Sequence, residues 1–163
     1  MSWTNAVRTA VICAILIVLH YTLRPLLAWP KASIDFLIIA LMFGSVRMRP
    51  GLAAVFGFVL GLVSDSLSPG AFGAAALGMS IVGFSASWLK AVFFADNLIL
   101  NGFFIFLGKW VFDLIFVIVG HRVHGAELFM QIVVWSSLSA AVTALVGILA
   151  IALLRPLMEL RTA

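Results

Sequence analysis

Charge is the scarcest commodity in this chain of 163 residues: ten Lys and Arg against six Asp and Glu, or 10% of positions. A soluble domain carries about 25%. Cysteine is all but missing, since Cys13 stands alone; one thiol closes no intrachain disulfide, and no CxxC pair offers a metal site. Cys13 sits in an apolar run and reads as a small core or lipid-facing residue. No fixed-period repeat occurs, and no link between apolar runs is long enough to fold a soluble domain. The basic residues form no patch or stripe, so the net charge of +4 does not point to nucleic acid.

What fills the chain is apolar: 64% hydrophobic residues and a mean hydropathy of +1.24, the composition of a membrane protein. The first apolar run follows Arg8 and gives way to Arg24-Pro25 and Trp29-Pro30-Lys31 without a small-x-small cleavage pattern, so it reads as an uncleaved anchor helix. The whole chain, 1–163, reads as one integral membrane domain. Six spans are predicted: 6–23, 32–46, 51–64, 71–89, 98–120 and 128–154. The second and third are short, a hairpin that thins the bilayer or is shielded by its neighbours. Asp35 falls in the first turn of the second span, where a carboxylate complements the helix N-terminus.

Orientation follows from the basic residues. With the N-terminus inside, Arg8, Arg47, Arg49, Lys90, Arg155 and Arg161 lie on the cytoplasmic side, against Arg24, Lys31 and Arg122 outside. Both termini are therefore expected in the cytoplasm. Arg47 and Arg49 mark the cytoplasmic rim and suit anionic lipid or an inner partner.

The least lipid-like stretch is 57–78. Gly57 and Gly61 form a GxxxG step, and Ala74 and Gly78 repeat the small-xxx-small spacing, which lets helices approach closely. Between them lie Asp65 and a turn containing Gly70 and Gly73. Asp65 reads either as a helix or turn cap in contact with water or as a structural hub; a carboxylate near hydrocarbon finds partners. Lys109 and Asp113, four apart in the fifth span, share a helix face and read as an intrahelical ion pair facing the bundle interior. A proton or ion path would need further titratable groups along one route, and the sequence shows no such chain. His121, His124 and His20 are assigned to the outer side as solvated link histidines, too few for zinc. Ser136, Ser137 and Ser139 read as helix packing, with no histidine placed to activate them. No catalytic, cofactor-binding or metal-binding constellation emerges, and none is assigned.

The run Gly57-Phe58-x-x-Gly61-Leu62-x-x-Asp65, then Gly70, Gly73 and Ala76-Leu77-Gly78, entered through Arg49-Pro50-Gly51, resembles the bacterial rod shape-determining protein MreD family. By topology the likeness covers most of the chain; by residues, chiefly 49–78. The resemblance implies an all-α polytopic bundle of six transmembrane helices, similar to the substrate-binding S-subunits of energy-coupling-factor vitamin transporters. It implies a non-enzymatic scaffold of the cell-elongation complex in the bacterial inner membrane, helping to organise peptidoglycan synthesis. The partners it implies are MreC, MreB, the RodA glycosyltransferase, a penicillin-binding transpeptidase and membrane lipids. The alternative is a substrate-binding subunit of a vitamin-type transporter, for which Asp65, His121, Arg122, His124 and Glu127 are the polar groups on offer. A membrane enzyme would need a clustered acid, base or metal set.

Overall fold

The computed structural model describes residues 3–27, 34–66, 72–93, 98–120 and 125–159. Among these residues every regular element is helical. The helices are α1 (Trp3–Leu27), α2 (Phe36–Ser45), α3 (Pro50–Ser66), α4 (Ala74–Phe93), α5 (Leu98–Gly120) and α6, which covers 126–159. Helix α6 has a wider π turn at Gln131–Trp135, between α-helical Ala126–Met130 and Ser136–Glu159. Leu98–Gly120 and Glu127–Leu153 are long and apolar enough to cross a membrane.

Helix α2 is the centre of the packing. It has ten residues, all buried, and it touches α1, α3, α4, α5 and α6. At 1.5 Å per residue it is about 15 Å long, half the thickness of a bilayer core. Both its ends must therefore be satisfied from within the protein. At the start, the Asp35 carboxylate accepts from the amides of Leu37 (3.2 Å) and Ile38 (3.4 Å). At the end, Arg47 donates from Nη1 to the Phe43 carbonyl (2.7 Å) while its guanidinium lies 3.8 Å from the Phe43 ring centre. The chain then reverses through the Arg47 and Met48 amides, bonded to Gly44 and Ser45. Helix α3 opens at Pro50, where a missing N–H costs no helix bond. The Met48 carbonyl accepts from Ser87 Oγ (2.7 Å) and Lys90 Nζ (3.4 Å), fastening this turn to α4.

Around α2 the helices pack as antiparallel neighbours. Helix α3 lies on α4, α4 on α5 through Gly78 and Phe112, and α5 on α6 through Gly102 and Ile148. Helix α1 packs mainly on α2, with Cys13 buried and its Sγ directed at the Ala40 carbonyl (3.6 Å). The periphery is as apolar as the core: Val18, Leu52, Phe72, Trp88, Ile99 and Leu145 are all more than 60% exposed. Such a surface suits lipid rather than water.

Several boundaries differ from expectation. Helix α2 begins at Phe36, because Asp35 is its N-cap and does not lie in its first turn. Helix α4 begins at Ala74, since Gly73 takes a left-handed φ of 96° just before it. Helices α1 and α6 run on past Arg24-Pro25 and Arg155-Pro156, to Leu27 and Glu159. The buried face of α6 includes Ser136 and Ser139.

Because α2 is enclosed on every side, Leu41→Ala, at a residue with no exposure, is expected to cost about 2–5 kcal/mol. Leu145→Ala, at a residue 68% exposed, should change stability little. Melting temperatures of the purified chain in detergent compare the two.

Candidate functional site

Two constructions stand out from the apolar background. The first joins α3 to α4. Ala53, Gly57, Gly61 and Asp65 follow one another at four-residue spacing on α3, and all four are buried, so they form one stripe along the helix. A Cβ on Gly57 would collide with the carbonyl of Met79, and one on Gly61 with the backbone of Ala75 and Ala76. Across from Ala53, a Cβ on Gly83 would stand 2.6 Å from the Ala53 carbonyl oxygen. Backbone meets backbone along the whole stripe, so the contact is made of dispersion and weak backbone interactions. Ala53 and Gly83 extend the ladder beyond the residues picked out in the sequence; the same +4 step, continued backwards from Gly57, would have found Ala53. Ala74 is buried at the start of α4. Gly78 turns the other way, with Phe112 of α5 3.0 Å from its Cβ position, so it belongs to the α4–α5 contact rather than to the α3–α4 ladder.

Asp65 closes this stripe. It is 1% exposed, and its carboxylate accepts from the amides of Gly73 (3.0 Å), Ala75 (3.1 Å) and Ala76 (2.9 Å). Those are among the first free N–H groups of α4, which a helix N-terminus must satisfy from outside. An acid on one helix thus caps the next, with the charge set against the positive end of the α4 dipole. Gly70 lies outside the described residues.

The second construction is a charged quartet buried among α1, α2, α5 and α6. Lys109, 4% exposed, pairs with Asp113 one turn along α5. The same ammonium reaches Asp35 Oδ2 at 3.2 Å. Asp35 Oδ1 lies 3.5 Å from His20 Nδ1 on α1, and the Asp35 amide donates to Thr143 Oγ1 on α6 (3.2 Å). The intrahelical pair is therefore one part of a longer chain of titratable groups, Asp113–Lys109–Asp35–His20. His20 is 2% exposed, not a solvated link residue; its ring meets that of Tyr21 edge-on at 5.2 Å. Lys109 has eleven residues of α5 on either side, so it sits roughly 16 Å from each end of that helix. No sequence spacing links positions 20, 35 and 109, and only the fold brings them together. His121 and His124 lie outside the described residues.

Arg47 and Arg49 share the α2–α3 turn; Arg47 closes α2 as described, and Arg49 is exposed. A small apolar groove of about 200 Å³ runs between α4 and α5, floored by Met42 and walled by Ala86, Leu89, Phe104 and Gly108. It is smaller than the pockets that enclose drug-sized ligands, about 300–1,000 Å³. No group of three or more metal-ligating side chains occurs among the described residues.

Truncating Asp65 to Ala leaves three amide donors of α4 without their acceptor and is expected to cost about 1–3 kcal/mol. Asp65→Asn, which keeps one acceptor oxygen, should cost less. Lys109→Met strands two buried carboxylates and is expected to cost about 3–5 kcal/mol; adding Asp113→Asn should restore part of that loss. Thermal unfolding in detergent reads all four variants.

Compared with known proteins, residues 4–161 match the family of the rod shape-determining protein MreD. No curated protein and no solved structure matches the chain. The match takes in the glycine ladder, the Asp65 cap and the buried quartet alike. Its reach over nearly the whole length means that this chain belongs to the MreD family of rod shape-determining membrane proteins.

Proposed function

We propose that the protein is a non-enzymatic scaffold of the cell-elongation machinery in the bacterial inner membrane. In this reading it crosses the bilayer six times with both termini in the cytoplasm. It binds MreC and, through the same complex, works with MreB, RodA and a penicillin-binding transpeptidase to organise peptidoglycan synthesis. The family match over 4–161 carries this reading. The construction of the helices supports it. The charged groups in the interior are engaged with one another or with helix ends, which suits a part that holds a shape. The α3–α4 pair, locked by backbone contact and closed by Asp65, supplies a stiff wall whose outer face (Leu52, Val55, Val59 and Val63) is apolar and exposed. A fixed wall of that kind presents the same surface to a partner's membrane span each time it binds, which limits the entropy lost on association.

Gly57→Leu and Gly61→Leu insert side chains where Met79 and Ala76 backbone now stands. In a rod-shaped host depleted of its own copy, neither variant is expected to restore rod shape, and both should recover at least tenfold less MreC on gentle purification. His121→Ala should behave as wild type. Wild-type recovery and rod shape with both glycine variants would remove the α3–α4 wall from the mechanism. Normal rods with a nutrient-uptake defect on depletion would favour the transporter-subunit reading instead.

A further inference from the structure

The buried quartet ties helices together, and one of its members is a side chain that can also exchange a proton. We propose that it is a proton-binding site: one proton, taken from water and held on His20 Nδ1 against Asp35, sets how firmly α1 is held to the rest of the molecule. This goes beyond the scaffold reading and does not depend on it, since it concerns the chain alone.

The geometry carries the proposal. Asp35 divides its carboxylate, with Oδ2 facing the Lys109 ammonium at 3.2 Å and Oδ1 facing the His20 imidazole at 3.5 Å. Lys109 is fixed on its other side by Asp113, so its ammonium lies between two carboxylates. The remaining member, His20, is the side-chain type that gains and loses a proton near neutral pH. Uptake adds one proton from water to a neutral imidazole, and release returns it; no other bond is made or broken.

Charged and titratable side chains reach the site from several elements. Helix α1 brings His20 and the Tyr21 phenol, at 5.2 Å between rings. The N-cap of α2 is Asp35, and α5 brings Lys109 and Asp113. Helix α6 contributes the uncharged Thr143 hydroxyl. The charged side chains of α3 and α4 are engaged elsewhere: Asp65 on the α4 amides, Lys90 on the Met48 carbonyl.

The site reports on α1 because α1 rests mainly on α2. Contacts that join α1 to the α2 segment include Cys13 with the Ala40 carbonyl and His20 with Asp35. The second gains a full charge on one partner when a proton binds. An imidazolium facing a carboxylate at low dielectric attracts it far more strongly than a neutral ring does. The extra hold is present on the acid side and is lost as pH rises through the titration of His20.

The test uses the full chain in detergent carrying His121→Gln and His124→Gln, which leaves His20 as its single histidine. Ring nitrogen NMR between about pH 5 and pH 9 should show one reversible titration, and the melting temperature should be higher on the acid side. Asp35→Asn should move the midpoint toward acid by about one pH unit or more, and His20→Gln should abolish the pH-dependent part of the melting temperature. Should Asp35→Asn fail to fold for want of its helix cap, Asp113→Asn keeps that cap and removes a charge from the same chain. It should move the midpoint in the same direction by a smaller amount. A His20 ring that does not titrate in this range overturns the proposal, as does a midpoint indifferent to the carboxylate variants. So does a pH-dependent melting temperature that survives His20→Gln. None of these readouts involves MreC, so failure here leaves the scaffold reading standing.

Discussion

The interior of this protein turns on how a ten-residue helix can end far from water. Helix α2 is too short to bring both of its termini to a membrane surface, and its first amides would be orphaned in an apolar interior. Asp35 answers that need, but a buried carboxylate is itself costly unless paired. Lys109 pairs it, Asp113 shares the ammonium, and His20 and Thr143 close the remaining sides. Each group is there because the one before it would otherwise stand uncompensated. Four helices are held in register by that sequence of obligations. The large side chains around it, such as Leu37, Ile38 and Leu41, then fill space with no polar work left to do.

The α3–α4 junction solves the same problem with different means. There an acid at the end of one helix satisfies the start of the next, and glycine removes the side chains that would keep the backbones apart. The two solutions differ in where their parts lie along the chain. Asp65 and the amides that donate to it are eight to eleven residues apart, whereas Asp35 draws on residues from α1, α5 and α6.

That difference decides how much was legible in the sequence. The glycine ladder and Asp65 are local, so spacing alone marked them as a unit, and the family resemblance rested on the same residues. Gly78 went astray because small-xxx-small spacing identifies a close-packing face without saying which neighbour it meets; Phe112 supplies the neighbour. Lys109 and Asp113 were visible as a pair by their helical spacing. Asp35 reads in sequence as a helix-start residue and His20 as an outer link histidine, and those local explanations hide a contact that only the tertiary fold makes. Asp35 is indeed a helix-start residue, and this true but partial role concealed the larger one.

The range of the Asp35 contacts also bears on how the protein is made. Its amide bonds to Thr143 across 108 positions of chain, so during synthesis α2 emerges long before the side chains that neutralise its cap exist. The α3–α4 hairpin, by contrast, carries its own cap and its own ladder within residues 50–93 and can close as soon as it has been translated. A nascent chain would thus hold a finished hairpin beside an unfinished helix. The hairpin is local in sequence, while the cap of α2 depends on residues that follow it by 74 to 108 positions.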